Sequence, residues 1–110
     1  VVAVDGGRIR VNLGSVSNAM ESTTLVNDGN WHHVVAVWGG DTGAITLYIN
    51  GAIEYTGAQS GNVTSTRSIY LGAMNEGAAF NFFDGEMANI YVFDRELNAD
   101  EVSILYEQGR

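Results

Sequence analysis

The two histidines are the side chains best suited to acid–base or metal chemistry. His32 and His33 are the only histidines among the 110 residues, and they are adjacent in a predicted strand. Successive side chains of a strand point to opposite faces, so this pair cannot bind one metal ion together. The sequence also contains no nucleophile-elbow motif that would pair a serine with a histidine. We therefore interpret both histidines as structural.

The acidic residues do not form the pairs that sugar hydrolysis requires. Glycosidases use two carboxyl groups about 5 to 9.5 Å apart across the scissile bond. Acidic residues at positions i and i+2 of a strand would share a face and could meet this requirement. Glu54 and Glu86 are solitary in their predicted strands. The sequence therefore predicts no catalytic residue and no enzymatic activity.

Oxygen-bearing side chains are clustered in the predicted loops. Calcium takes about six to eight oxygen ligands, which two such loops and nearby backbone carbonyls could supply. Asp and Asn are also favoured in turns for purely conformational reasons, so no ligand set is preferred and the metal residues are left unassigned. Calcium is the one cofactor that the sequence suggests. The candidate groups are Asp28 with Asn27 and Asn30, Asp41 with Thr42, and Asn75 with Glu76 and Asp84.

An aromatic loop is the best candidate for ligand binding. Sugar recognition combines an aromatic face with amide or carboxylate groups that bind hydroxyls. Most aromatic residues of the chain lie in predicted strands, where a core role is the simpler interpretation. Residues 72–85 instead form a glycine-bounded loop, and loops of this kind often carry function. The predicted ligand-binding residues are Asn75, Glu76, Phe80 and Phe82.

Composition excludes several classes of partner. The net charge is −8, and the five basic residues are all arginines scattered along the chain. Nucleic acids and anionic membranes are bound through clustered Lys and Arg, so neither is an expected partner. Cysteine is absent, which excludes disulfides and thiolate chemistry. No apolar run approaches the roughly 20 residues of a membrane span, so membrane insertion is not expected.

Apolar residues recur with a period of two, which predicts an all-β domain. Strands are predicted over residues 1–4, 8–13, 20–25, 31–38, 45–49, 52–55, 69–71 and 86–93. Residues 5–7 predict a hairpin turn, and Asn50-Gly51 predicts a second hairpin with a type I′ turn. Both alternating sets of residues 31–38 are largely apolar, as are those of residues 86–93. We therefore expect these two strands to be central and covered on both faces.

The C-terminus alone has the features of a helix. Asn98 is a favourable N-cap, and Glu101 occupies the third helical position of a capping box. Leu97 and Val102 are spaced as a hydrophobic staple, and Gly109 is a suitable residue for ending the helix.

Five segments together resemble the concanavalin-A-like lectin/glucanase superfamily, specifically its laminin-G-like branch. They are DGNWHHVVAV (28–37), LYING (47–51), IYLG (69–72), FDGEM (83–87) and IYVFDREL (90–97), and they occur in the family's order. The resemblance implies an antiparallel β-sandwich of the jelly-roll type with one short C-terminal helix. It also implies that residues 1–110 form a single domain that lacks the family's N-terminal strands. Ala88 stands where calcium-binding relatives carry an Asp, which argues against inheritance of that calcium site.

The resemblance implies a noncatalytic, lectin-like recognition module that is secreted or displayed at the cell surface. Its expected partner is a glycan or glycoprotein. The alternative is a structural or adhesion domain whose exposed sheet pairs with another copy or a neighbouring domain, because missing strands would leave an edge open. A glycoside hydrolase is the third and weakest interpretation.

Overall fold

The computed structural model describes residues 2–11, 20–39, 44–58, 74–75, 79–80, 85–93 and 95–109. In these residues the chain forms eight strands and one helix. They are β1 (Val2–Asp5), β2 (Arg8–Val11), β3 (Met20–Leu25), β4 (Val34–Trp38), β5 (Ala44–Ile49), β6 (Ala52–Ala58), β7 (Met74–Asn75), β8 (Ala79–Phe80) and α1 (Ala99–Gln108). All of the strand pairs are antiparallel.

The first sheet has the order β1-β2-β3. Gly6 and Gly7 join β1 to β2 with φ angles of 60° and 82°, a left-handed conformation that glycine adopts without steric cost, and the predicted hairpin is confirmed. The register between β2 and β3 shifts between Arg8 and Arg10. At this irregularity the Ser22 hydroxyl accepts the Ile9 N–H at 2.9 Å and donates to the Thr24 carbonyl at 2.8 Å.

The second sheet has the order β4-β5-β6, with β5 in the centre. Asn50 and Gly51 connect β5 to β6 with φ angles of 52° and 81°. Positive φ at both central residues is the requirement of a type I′ turn, so the predicted Asn-Gly hairpin is confirmed.

The two sheets pack face to face as a β-sandwich. The core between them contains buried side chains from both sheets: Ile9, Val11 and Met20 from the first, and Ile45, Leu47 and Ile49 from the second. The opposite face of the second sheet is covered near the helix. There Val37 and Tyr48 form a second buried cluster with Leu97 and Val102. The predicted sandwich with one short C-terminal helix is therefore confirmed.

Helix α1 begins as the sequence predicts. The Asn98 side chain accepts the Glu101 N–H at 2.9 Å, and the Glu101 carboxylate accepts the Asn98 N–H at 3.2 Å. Arg95 also binds this carboxylate, and the Arg95 and Asn98 hydrogen bonds together lower the pKa of Glu101 to about 2. Gly109 ends the helix in a right-handed conformation, so its left-handed tolerance is not used. No helix in the described part of the chain has the length and apolar character that a membrane span requires.

The prediction that residues 31–38 form a strand is wrong for residues 31–33. The strand begins at Val34, and β4 is an outer strand of the described sheet. It is nevertheless packed on both faces, because Val34 and Trp38 contact the inter-sheet core while Val35 and Val37 contact the helix-side cluster. Apolar residues on both faces of a predicted strand indicate that both faces are covered, but they do not indicate whether the strand has two neighbours in its sheet.

Two further predictions need correction. Residues 86–93 were expected to form a buried central strand, but the structure places them outside any strand, with Met87, Ile90, Tyr91, Val92 and Phe93 exposed. Asn89 has a φ of 54°, which interrupts extended backbone at the middle of the segment. The predicted loop 72–85 contains the short β7–β8 hairpin. The strand predicted at 69–71 lies outside the described residues.

Candidate functional site

One end of the sandwich brings together the polar residues of the loop before β4 and the tip of the β5–β6 hairpin. We call this surface the Trp31 rim and define it as Asp28, Asn30, Trp31, His32 and Asn50. Two backbone hydrogen bonds fix its borders. The Val26 N–H donates to the Gly7 carbonyl at 2.7 Å, and the Asn50 N–H donates to the His33 carbonyl at 2.8 Å. The loop is therefore held against both sheets.

Asp28 is the anchoring carboxylate of the rim. Its Oδ1 accepts the His32 Nε2–H at 2.8 Å and the Asn30 N–H at 3.0 Å. The hydrogen bond from His32, followed by that from the Asn30 backbone, lowers the pKa of Asp28 to about 2. The side chain remains 42% exposed, and the Asn30 side chain also hydrogen-bonds to the carboxylate. Asp28 therefore presents a charged acceptor to solvent near neutral pH.

The hydrogen bonds around His32 determine its tautomer. The Asn50 Oδ1 accepts the His33 N–H at 2.9 Å, so the Asn50 amide nitrogen faces the His32 Nδ1 at 3.1 Å and donates to it. The His32 proton is then on Nε2, directed at Asp28. The side chain is only 11% exposed, and both ring nitrogens are engaged. His32 has no free nitrogen to accept a substrate proton, which agrees with its predicted structural role.

His33 lies against helix α1. Its ring centroid lies 5.7 Å from that of Tyr106 in α1. The His33 Nδ1 is buried and has no hydrogen-bond partner in the described part of the chain. Burial therefore lowers the pKa of His33 from its usual 6.5.

The lowered pKa of His33 predicts a loss of stability as the pH falls below about 6.5. In this range the unfolded chain takes up a proton that the folded chain resists, so the free energy of unfolding decreases with falling pH. A second loss is expected below about 4, where Asp28 and Glu101 protonate in the unfolded chain first. Thermal unfolding midpoints measured from pH 8 to pH 2 should show both declines.

His33→Phe is the matched variant for this prediction, because phenylalanine keeps a ring against Tyr106 and does not titrate. The first decline should be smaller in this variant, while the decline in the acid range should be unchanged. Superimposable curves for the variant and the natural chain would contradict the assignment of the first decline to His33.

Glu54, the single acidic residue of its strand, has a structural role. It lies in β6 and accepts hydrogen bonds from β3: the Thr23 N–H at 3.0 Å, the Thr24 N–H at 2.9 Å and the Thr24 hydroxyl. Partial burial tends to raise its pKa, but the hydrogen bonds from Thr24 and Thr23 outweigh burial and lower it. A general acid in glycoside hydrolysis needs a raised pKa, so this environment does not suit that chemistry.

Glu54→Ala should lower the free energy of unfolding by about 1 to 3 kcal/mol, because two backbone N–H groups lose a charged acceptor. Glu54→Gln keeps one acceptor oxygen and should cost less. Urea unfolding measures both. Glu21→Ala is the control, since Glu21 is exposed in β3 and lies 3.9 Å from Arg8, a surface pair worth at most about 1 kcal/mol. Equal costs for Glu54→Ala and Glu21→Ala would show that Glu54 does not join the sheets.

Trp31 is the rim residue that sequence analysis missed. It was assigned to a strand, but it lies in the loop and is 67% exposed. The sequence feature that could have indicated a loop at Trp31 is the turn sequence 27–30 immediately before it. Trp38, by contrast, packs against the inter-sheet core. An exposed tryptophan can stack on the apolar face of a sugar ring.

The predicted ligand-binding residues are only partly described. Asn75 lies in β7 and Phe80 in β8, and these strands pair with Met74 opposite Phe80 and Asn75 opposite Ala79. The structure therefore brings Asn75 and Phe80 onto neighbouring strands of one hairpin. Glu76 and Phe82 lie outside the described residues, so the four-residue site stays a prediction.

The calcium prediction also remains open. The part of the chain that the structure describes contains no group of three or more His, Cys, Asp or Glu side chains placed to hold a metal ion. In the first candidate group, Asp28 uses Oδ1 to accept N–H groups. The second group, Asp41 with Thr42, and Glu76 and Asp84 of the third lie outside the described residues.

Comparisons with known proteins agree with this architecture. A family model of the Laminin G 3 type, described as Concanavalin A-like lectin/glucanases superfamily, matches residues 1–103. Pentraxin-related protein PTX3 of Mus musculus is 24% identical over 100 residues, covering 82% of this chain and 26% of that protein. A solved S-layer domain-containing protein (residues 221–444) from Clostridium thermocellum ATCC 27405 is 22% identical with a TM-score of 0.60, covering 90% of this chain and 50% of that chain. This chain therefore spans about a quarter of the first protein and half of the second structure.

Proposed function

This chain belongs to the concanavalin A-like lectin/glucanases superfamily, and we propose that it is a noncatalytic recognition module that binds a carbohydrate or glycoprotein outside the cell or at its surface. The observation that carries this proposal is the family match, which covers residues 1–103 of a sandwich with the same architecture. The S-layer domain in the similar solved structure supports the proposed location.

The noncatalytic part of the proposal is supported by the roles of three of the described carboxylates. Glu54 binds three donors of β3, Glu101 completes the cap of α1, and Asp28 orients His32. All three have a lowered pKa, so they stay ionised near neutral pH. A glycosidase requires one carboxyl group that holds its proton at working pH. Each of these groups is suited to holding the fold or accepting hydroxyl hydrogen bonds.

The β7–β8 hairpin and its flanking residues are the first proposed ligand surface, with Asn75, Glu76, Phe80 and Phe82 as its contacts. A glycan array probed with the full chain, in calcium and then in EDTA, tests this proposal. Binding of at least one glycan that weakens in Phe80→Ala, with Ile53→Ala as an exposed-residue control, is the expected result. Loss of binding in EDTA would add calcium to the site. The absence of binding to any glycan or glycoprotein would contradict recognition, and release of sugar fragments would contradict a noncatalytic role.

A second candidate function is assembly, and one observation favours it. The apolar segment 87–93 exposes five large hydrophobic side chains, and β4 and β6 are the outer strands of the described sheet. Large exposed apolar patches and open edges commonly mark contacts between chains. The similar S-layer domain structure fits such a role. In this alternative a second copy of the chain covers the apolar segment.

Sedimentation velocity over a wide concentration range tests this alternative. Self-association that is abolished by Val92→Lys, but not by Ile104→Lys on the exposed side of α1, would support it. A strictly monomeric species at millimolar concentration would contradict it.

A further inference from the structure

We propose that Asn50 is a site of spontaneous deamidation, and that the folded chain slows this reaction by holding the Asn50 carboxamide in two hydrogen bonds. Asn50-Gly51 is the only Asn-Gly pair in the sequence. Glycine has no side chain to shield its backbone nitrogen, and this nitrogen is the atom that attacks the asparagine carboxamide. This modification site is independent of the proposed recognition function.

Each step of the reaction uses only the chain and water. Loss of the Gly51 N–H proton to hydroxide allows the Gly51 nitrogen to form a bond to Asn50 Cγ. The bond from Cγ to Nδ2 then breaks, and the amide group leaves as ammonia after taking a proton from water. The product is a cyclic imide. Water opens this ring at either carbonyl, which leaves aspartate or isoaspartate at position 50.

The Asn50 carboxamide is held on both sides in the folded chain. Its Oδ1 accepts the His33 N–H at 2.9 Å, and its Nδ2 donates to His32 Nδ1 at 3.1 Å. His32 is held in turn by Asp28 at 2.8 Å. The cyclic imide joins Asn50 Cγ to the Gly51 nitrogen, so its formation rotates the carboxamide out of these hydrogen bonds and the backbone out of its turn geometry. The folded arrangement therefore opposes the reaction.

The attacking residue is held as well. Gly51 has a φ of 81° and lies against the ring of Tyr106 in α1, where a β-carbon on Gly51 would come within 3.0 Å of Tyr106 Cδ1. The Asn50 N–H donates to the His33 carbonyl at 2.8 Å. The reacting pair is thus in contact with the helix and with the residue that precedes β4. Deamidation therefore requires a local opening of the hairpin tip.

The products of deamidation would weaken the same contacts. Aspartate at position 50 keeps an acceptor for the His33 N–H, but when ionised it has no hydrogen to donate to His32 Nδ1. Isoaspartate adds a methylene group to the backbone, which disrupts the geometry of a two-residue type I′ turn. Because the reaction releases ammonia, refolding does not restore the amide. Deamidation should therefore loosen the β5–β6 hairpin permanently.

Incubation of the natural chain at mildly alkaline pH, folded or unfolded in urea, tests the proposal without any variant. Tandem mass spectrometry gives the rate at each asparagine, and isoaspartyl methyltransferase identifies isoaspartate. In urea, Asn50 is expected to react faster than every other asparagine, because glycine follows it. In the folded chain its rate should be at least about tenfold lower than in urea. Equal rates in the two states would overturn the protection, and faster reaction of another asparagine in urea would overturn the choice of site.

Three variants, each checked for folding by circular dichroism, locate the protection. His32→Phe removes the acceptor of Asn50 Nδ2 and should raise the rate in the folded chain about two- to tenfold. His33→Phe is the matched control, because it keeps the backbone N–H and carbonyl that bind Asn50, and it should react at the natural rate. Leu47→Ala lowers the stability of the whole domain without removing these hydrogen bonds, and it should also react at the natural rate.

Two results with these variants would overturn the inference. An unchanged rate in His32→Phe would show that the hydrogen bond to His32 does not slow the reaction. Equal acceleration in His32→Phe and Leu47→Ala would show that deamidation follows unfolding of the whole domain rather than opening of the hairpin tip.

Discussion

Asn50→Ala is expected to lower the free energy of unfolding by about 2 to 4 kcal/mol. Two separate causes combine at this position. Asn50 has a φ of 52°, a conformation that alanine adopts only with strain. Its side chain also supplies the acceptor for the His33 N–H and the donor for His32 Nδ1. Loss of the amide leaves both groups without their partners, so a residue at a hairpin tip should have the effect of a core residue.

Two variants separate these causes. Asn50→Gly relieves the backbone strain and removes only the side-chain hydrogen bonds, so it should cost about half as much as Asn50→Ala. Asn50→Asp keeps the acceptor for the His33 N–H but removes the donor to His32. Urea unfolding of the three variants measures how much each one lowers the free energy of unfolding. If Asn50→Ala were no more costly than Asn50→Gly, the left-handed backbone would contribute nothing to the effect.

Leu47→Ala should cost about 2 to 5 kcal/mol, because it opens a cavity at the centre of the sandwich. Leu47 is 0% exposed and packs in the cluster that joins the two sheets. The range reflects how far the surrounding side chains can collapse into the space. In a domain of this size, such a loss is a large fraction of the total stability.

Ile53→Ala is the matched control for this prediction. Ile53 lies on the adjacent strand β6 and is 55% exposed, so its truncation should cost well under 1 kcal/mol. Urea unfolding again provides the comparison. Similar losses for Leu47→Ala and Ile53→Ala would mean that the two sheets are not packed against each other.

Local signals predicted the elements whose structure depends on local chemistry. The Asn50-Gly51 turn and the capping box of Asn98 and Glu101 were both confirmed, because each is determined by a few neighbouring residues and their backbone angles. The sandwich itself was predicted from period-two alternation together with the family resemblance. Both rely on information that lies within short stretches of the sequence.

Pairing partners were harder to predict because alternation does not specify them. The pattern at 86–93 is that of a strand, yet Asn89 adopts a positive φ and the apolar side chains are exposed. The pattern at 31–38 continues unbroken into the loop, although the strand begins only at Val34. Immediately before it, His33 is hydrogen-bonded to Asn50 through both its N–H and its carbonyl.

In the candidate site, too, local features were easier to predict than contacts between distant residues. His32 and His33 were expected to face opposite sides of a strand, but both lie before β4, with His32 bound to Asp28 and Asn50 and His33 against Tyr106. The chain of hydrogen bonds from Asp28 through His32 to Asn50 joins residues up to 22 positions apart in the sequence. No local pattern indicates such a contact. Trp31 was assigned to a strand because the apolar pattern begins at residue 31, whereas the strand begins only at Val34 and Trp31 is exposed.

Binding of the full chain to a glycan array, followed by product analysis of every bound glycan, is the most direct measurement of noncatalytic recognition. The predicted result is retention of at least one glycan without release of fragments, with binding weakened by Phe80→Ala. Fragment release, or no binding to any glycan or glycoprotein, would contradict it.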